Sequence, residues 1–385
     1  MMLKKALLGT TAIASAAFFS PEAFSADPPK LSFFGYYRME GVFTDQNFRG
    51  TRGGRQFFLE ADDIELQFRA EATADNGLKY QAYIELDLDS TEQSLTAGGT
   101  APQVTSRIVA DEANLRFQGD WGIMDLGDQD GAEDSMPYGA ETFYFGAGAS
   151  DGGITSTFNT RGAGLQMGPD ILGDSGDATK ITYYSPRIMG FQVGVSYTPD
   201  TGHDLGEAVD NEDTAEFRNN WGGGVNYQEK FGDFTVGASA VGIWAEPDLQ
   251  TGNAVNTIED AKSYQAGAFV TWKEWSLGGS YGDSGDSGLA KARTGGFDAG
   301  QWWNIGVAWQ SGPYRAVASY FNSWKAEGTG NQDDEVDFVS VGGQYLVAPG
   351  LETYAEYDYV NLTQTGAAGA DNTAHIFILG TRLFW

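Results

Sequence analysis

Along most of the chain, apolar and polar residues alternate one by one. From Phe191 to Tyr197, Phe191, Val193, Val195 and Tyr197 alternate with Gln192, Gly194 and Ser196. Tyr80, Ala82, Ile84 and Leu86 likewise interleave with Lys79, Gln81, Glu85 and Asp87. Leu351, Thr353, Ala355, Tyr357 and Tyr359 interleave with Glu352, Tyr354, Glu356 and Asp358. Successive side chains of a strand leave on opposite sides, so a period of two predicts strands with one apolar and one polar face. Runs of nine or ten such residues suit a tilted strand that crosses a bilayer.

Compact turn sequences punctuate the alternation. They are Asp75-Asn76-Gly77, Gly119 to Gly122, Pro186 to Gly190, Lys230 to Asp233, Trp272 to Glu274, Ser311 to Pro313 and Ala348 to Gly350. Gly, Asn, Asp and Pro favour tight reversals for backbone reasons. Between them lie longer polar segments, about 44–55, 89–106, 127–179, 199–218, 245–261, 282–301, 325–336 and 361–373. Seven short and eight long connections join sixteen strands, with both chain ends on the short-turn side, where the first and last strands can pair. Short turns on one side and long loops on the other are the asymmetry of an outer-membrane barrel. The expected fold is all-β, a 16-stranded antiparallel transmembrane β-barrel with short periplasmic turns and long outer loops.

A soluble β-sandwich would also have a clean apolar face. The membrane reading is favoured by the opposite face, which is mostly Gly, Ser, Asn, Gln and charged residues. Aromatics also flank the short turns (Phe117 and Trp121, Tyr227 and Phe231, Trp272 and Trp275), where an interfacial girdle belongs. A charge on the lipid face would cost roughly 2–4 kcal/mol at mid-bilayer. The runs Tyr264, Ala266, Ala268, Val270, Trp272 and Trp303, Ile305, Val307, Trp309 carry none. The final Leu383-Phe384-Trp385 resembles the terminal signal of bacterial outer-membrane proteins.

Composition narrows the chemistry. The 385 residues carry 23 Lys+Arg against 53 Asp+Glu, a formal net charge of -30. That balance argues against nucleic acid, which needs a basic face. With no Cys, thiol catalysis, thiolate metal sites and disulfides are excluded. The aromatic content of 14% argues against disorder. Lys4 and Lys5, the apolar stretch to Phe19, Pro21 and the small residues of Ala23-Phe24-Ser25 read as a secretory signal peptide over 1–25, leaving 26–385 as the barrel.

Several fragments, taken in their order and spacing, carry a family likeness: Leu126-Gly127-Asp128-Gln129-Asp130-Gly131-Ala132, Ile181 to Arg187, Gly190 to Tyr197, Gly312-Pro313-Tyr314 and Leu379 to Arg382. The chain resembles the alphaproteobacterial general porins, trimeric sixteen-stranded channels of the outer membrane. The third-loop signature of the enterobacterial branch is absent. The resemblance implies a homotrimer in contact with outer-membrane lipid and lipopolysaccharide, with the second loop, about 89–106, latching onto a neighbouring subunit. It also implies a third loop that folds into the barrel and narrows it.

Loop lengths agree with that implication. Successive short turns lie about 36 to 45 residues apart, but about 67 separate the turns near Trp121 and Ile188, with the surplus in 127–179. A loop of this size needs a structure or function of its own. Asp128, Asp130, Glu133 and Asp134 stand near its start. By parity, Arg38, Arg69, Lys79 and Arg116 face the lumen from the first strands. Loop acids opposite wall bases would set up a transverse field at a constriction, and the acidic excess favours cations.

Other chemistry is weaker. Asp128 to Glu133 offers oxygen ligands around a Gly, but lacks the spacing of a calcium hand, so the expectation is no cofactor, with calcium at the acidic loops as the open alternative. Gly148 to Gly152 and Gly278 to Gly282 match G-x-S-x-G without the helix that motif requires, and the two His, His203 and His375, complete no triad. Lumenal aromatics (Tyr83, Trp302, Phe269, Tyr354) are too scattered to form an evident sugar path. The sequence therefore points to a non-enzymatic, water-filled outer-membrane channel for ions and small hydrophilic solutes. The alternatives are a substrate-specific channel or a barrel-anchored binding or adhesion protein.

Overall fold

The structure is a computed structural model. It describes residues 27–47, 56–88, 91–93, 104–106, 109–145, 157–160, 164–202, 217–247, 257–293, 295–326, 333–364 and 371–385. The segment read as an export signal, 1–25, lies outside the described residues. So do Gly148 to Gly152, His203 and most of the second loop.

Sixteen strands close into one barrel. In chain order they are β1 (Lys30–Gln46), β2 (Phe57–Thr73), β3 (Lys79–Asp87), β6 (Val109–Gly119), β7 (Gly122–Asp128), β8 (Thr179–Tyr184), β9 (Phe191–Asp200), β10 (Phe217–Phe231), β11 (Phe234–Pro247), β12 (Tyr264–Trp272), β13 (Trp275–Asp283), β14 (Gln301–Ser311), β15 (Tyr314–Ala326), β16 (Asp333–Ala348), β17 (Leu351–Thr363) and β18 (Asn372–Phe384). Two further short strands, β4 (Thr91–Gln93) and β5 (Val104–Ser106), pair with each other inside the second loop.

Each of the expected short turns joins its two strands. At two of them Gly312 and Gly350 adopt φ of 57° and 81°, a conformation that L side chains rarely take. The ends of the chain meet as expected: β1 pairs antiparallel with β18, from Tyr36 opposite Phe384 to Gln46 opposite Ala374. The terminal aromatic secures this seam, since the Trp385 amide donates to the Gly35 carbonyl at 3.1 Å. Its ring lies 6.4 Å from that of Phe33.

Burial is inverted relative to a water-soluble protein. Phe191, Leu277 and Ile305 point outward and are 54%, 50% and 46% exposed, while the inward Ser196, Ser280 and Asn304 on the same strands are buried. Period-two alternation produces this because lipid solvates one face and the lumen the other. Aromatic pairs mark both edges of the apolar band. Phe234 with Trp272 and Tyr314 with Tyr345 lie at the short-turn edge. Tyr197 with Trp221 and Trp303 with Tyr320 lie toward the long loops. No helix among the described residues is long and apolar enough to cross a membrane.

The apolar core sits inside the barrel. Trp302, Phe321, Phe338, Val336 and Val317 on the wall pack against Phe143, Phe145, Phe158 and Leu165 of the third loop. Each such side chain, once fully buried, contributes about 1.5–3 kcal/mol, so the loop is held to one side of the lumen by more than its polar contacts.

Candidate functional site

The third loop leaves β7 at Asp128 and rejoins the wall at Thr179. It opens with one helical turn, α1 (Ala132–Ser135), followed by a 3-10 turn at Ala140–Phe143. From there its contacts travel around the inner wall. Ser196 on β9 accepts from the Ala132 amide at 2.7 Å, and Asn226 on β10 donates to the Met136 carbonyl at 3.3 Å. Ser239 on β11 accepts from the Tyr138 amide at 2.7 Å. Glu141 then accepts from Gln265, Ser280 and Asn304 on β12, β13 and β14 at 3.1, 2.9 and 3.0 Å. Arg315 on β15 donates to the Phe143 carbonyl at 2.9 Å. Gln46 on β1 and Asn372 on β18 hold the Thr157 and Asn159 carbonyls at 2.8 and 2.9 Å.

The returning limb retraces part of this circuit. Trp302 donates to the Asp170 carbonyl at 2.5 Å, Ser263 to Leu172 at 2.6 Å and Asn220 to Gly173 at 2.8 Å. Small wall residues let the loop lie this close. A Cβ on Gly267 would collide with the Tyr138 carbonyl, and one on Gly222 with the Glu133 carboxylate. The inward polar face thus serves two purposes: on β8 to β15, β18 and β1 it binds the loop, whereas Arg69, Gln81, Tyr83, Glu112 and Arg116 on β2, β3 and β6 line open space.

The loop acids divide into three groups. Asp128 and Glu133 are buried in the loop's own packing. Asp128 accepts from Thr179, and Glu133 accepts from Ser175 at 2.7 Å. Asp130 faces the open wall and lines a cavity of about 220 Å³ with Arg69, Arg116, Glu112, Tyr83 and Gln81. Asp134, Asp170 and Asp174 bring a carboxylate oxygen each within 4.8 Å of one another. Asp134 and Asp170 are exposed and Asp174 is half-buried, yet the protein around them raises the titration of all three, first by desolvation. Asp134 is pushed up to about 8, first by desolvation and then by the charges of Asp130, Asp170 and Asp174. Asp174 is pushed up to about 7 by desolvation, then by Asp170 and Glu133. Asp170 is also raised, again first by desolvation.

The wall bases differ as well. Arg116 hydrogen-bonds Asp125 at 2.7 and 2.8 Å. Arg69 lies over the rings of Phe34 and Tyr83, 5.1 and 5.8 Å from their centroids. Lys79 shares with Arg116 and Lys30 a second cavity of about 320 Å³ toward the short turns. Arg38 lies 3.6 Å from Glu40 on β1. The structure therefore brings Arg69, Arg116 and Asp130 to one cavity. It sets Lys79 below it and Arg38 apart, with Asp128 and Glu133 inside the loop.

Two anchoring residues escaped the sequence reading. Lys180 on β8 is 2% exposed and donates to the Gln129 and Gly176 carbonyls, tying together the two limbs of the loop. Its inward parity with Thr182 was the available signal. Glu141 carries no local sequence signal that sets it apart from the other acids of the loop. Burial raises its titration above the ordinary carboxylate range, although Asn304, Ser280 and Gln265 act in the other direction. For a hard divalent cation, the oxygen set among the described residues is Asp134, Asp170 and Asp174 rather than Asp128 to Glu133. Gly278 to Gly282 runs straight through β13, with no nucleophile turn.

A model of the Gram-negative porin family matches residues 8–365. An uncharacterised protein of Rickettsia bellii is 26% identical over 223 residues, 47% of this chain and 50% of the relative. The chain spans about half the length of the relatives it matches. Among solved structures, an anion-selective porin from Comamonas acidovorans is similar with a TM-score of 0.64 at 15% identity, covering 93% of this chain and 100% of that one. The trimer form of OmpT, an outer membrane protein of Vibrio cholerae, is similar with a TM-score of 0.58 at 18% identity, covering 93% and 100%. At these identities the likeness is one of fold.

Proposed function

The chain belongs to the Gram-negative porin family and is a multi-pass β-barrel of the outer membrane, and from that premise we propose that it passes ions and small hydrophilic solutes down their gradients, with cations preferred. The observation that carries the reading is the asymmetric lumen. The third loop is fastened to the wall on β8 to β15, β18 and β1, and the remaining gap lies between loop carboxylates and the β2–β3–β6–β7 wall. Asp130, joined by Asp134 once that group ionises above about pH 8, supplies its negative side, and Arg69 its positive side. Lys79 guards the exit toward the short turns. Asp128, Glu133 and Arg38 act one layer back, through the shape and potential of the gap.

The sign of selectivity rests on charge balance. Arg116 is matched by Asp125, so its field is largely cancelled, while Glu112 and Asp130 add negative charge along the path, reinforced by Asp134 above about pH 8. The lumenal aromatics favour a general pore over a sugar-specific one. Trp302 and Phe269 belong to the packing beneath the loop, and Tyr354 is buried against Glu40. Only Tyr83 of that set lines the gap.

The working unit is a homotrimer, a reading supported by the trimeric OmpT structure. The exposed outward Phe33, Phe43, Phe57 and Leu59 on β1 and β2 are consistent with a subunit contact. Reversal potentials across a planar bilayer under a salt gradient test selectivity. The double substitution Asp130→Asn with Asp134→Asn should reduce cation preference, and an unchanged reversal potential would overturn the assignment of these acids.

A further inference from the structure

We propose that the cavity between the third loop and the β2–β3–β6 wall is a saturable site for small zwitterions bearing a carboxylate and an ammonium, the α-amino acids. The proposal rests on the reading of this gap as the permeation path. Its starting point is Arg69. Among the described residues no carboxylate pairs with this guanidinium. Phe34 and Tyr83 hold it by their ring faces, and its Nε is buried without a hydrogen-bond partner. A planar guanidinium stacked on aromatics keeps its donor edge free for a bidentate acceptor, and carboxylate has the matching geometry.

Within the same cavity, Glu112 and Asp130 present carboxylates from β6 and from the loop. Among the described residues neither forms an ion pair of the kind that Arg116 makes with Asp125, although the Lys180 ammonium acts on both through space. The Asn114 amide donates to Glu112 at a long 3.4 Å. These acids suit an ammonium group. Arg116 and Asp125, already satisfied by each other, line the same cavity as a neutral pair.

Charge and size together select the ligand. A solute with only a carboxylate gains Arg69 but meets Glu112 and Asp130. A solute with only an ammonium gains the acids but meets Arg69. A zwitterion satisfies both ends at once, and the combination is worth more than either part because like-charge contacts are avoided. The volume of about 220 Å³ falls below the roughly 300–1,000 Å³ of pockets that take drug-sized ligands, which limits the occupant to a small solute.

The test uses the purified full-length channel in a planar bilayer, with L-alanine, propionate and ethylamine as size-matched probes. L-alanine should lower ion current in a saturable way, and propionate and ethylamine should not saturate over the same range. Arg69→Gln and, separately, Glu112→Gln should each weaken the L-alanine effect about tenfold or more, the loss expected when one charge-assisted contact is removed. Conductance steps from each variant show that it is folded and open. The proposal is overturned if L-alanine behaves like the other two probes, or if both variants saturate as the parent does. Reversal potentials recorded without probe keep the two readings separate. Loss of cation preference would count against the selectivity reading while leaving the L-alanine result to stand or fall alone.

Discussion

The Arg116 guanidinium grips the Asp125 carboxylate with two hydrogen bonds, Nε to Oδ1 at 2.7 Å and Nη2 to Oδ2 at 2.8 Å, across directly paired positions of β6 and β7. Asp125 is almost fully buried, whereas Arg116 remains partly open to the lumen. Arg116→Gln should therefore leave a buried carboxylate without its counter-charge. We expect a loss of about 1–3 kcal/mol, less than for a fully buried pair because water reaches the arginine side. Cation preference should rise together with the loss of thermal stability in detergent. Adding Asp125→Asn should restore much of both. If the double variant is no better than Arg116→Gln alone, the pair is not the coupled unit described.

Titration of the third-loop acids sets a pH dependence with a definite sign. Protonation removes negative charge, and raised groups protonate at higher pH than ordinary carboxyls. With Asp134 near 8 and Asp174 near 7, both are mostly neutral at about pH 5.5 and mostly charged at about pH 9. Cation preference should accordingly climb between those limits. Ordinary surface carboxyls, which titrate near about 4, cannot produce that climb. Reversal potentials across this range check the expectation, and Asp134→Asn should flatten the curve. A flat profile in the parent channel would contradict the assignment.

The strand pattern was legible because each strand reports its own two faces: Phe191 to Tyr197 needs no distant information to be read as β9. The compact turns and the surplus length of the third loop were legible for the same local reason. The path of that loop was not, because it depends on partners far along the chain. Ser239, Ser280 and Asn304 look like ordinary lumenal polar residues until Tyr138 and Glu141 meet them. Parity placed Arg69 and Arg116 inward but could not distinguish a guanidinium resting on aromatic rings from one paired with Asp125. Nor could it show that, of four neighbouring loop acids, Asp128 and Glu133 turn into the packing.

Lys180 offers a test of loop fixation independent of selectivity. Its buried ammonium donates to carbonyls on both limbs, Gln129 and Gly176. Lys180→Met keeps the length and apolar stem but leaves both carbonyls without that donor and nearby acids without a counter-charge. Leaving buried acceptors without their donor costs about 1–3 kcal/mol. We expect lower thermal stability and, at the single-channel level, added current noise as the loop loses its clamp. Quiet, full-size steps from a protein of unchanged stability would show that the loop is held by its apolar packing alone.

Depth in the bilayer can be read from the outward face of a single strand. Ile305 sits mid-way along β14, opposite Gly279 and Tyr320 on its neighbours, and points into lipid. Ser311 ends the same strand at the short-turn edge, with the same outward parity. A lysine at the bilayer midplane costs about 2–4 kcal/mol, falling to about 0–1 kcal/mol near the interface. Ile305→Lys should therefore impair folding into lipid vesicles far more than Ser311→Lys, as measured by equilibrium unfolding in urea. Ile305 also lies behind the wall that carries Asn304, a loop anchor, so Ile305→Ala serves as the packing control. It should lose only the side-chain contribution. Equal penalties for the two lysine substitutions would mean that the aromatic pairs at Trp303 and Tyr314 do not mark the edges of the hydrocarbon layer.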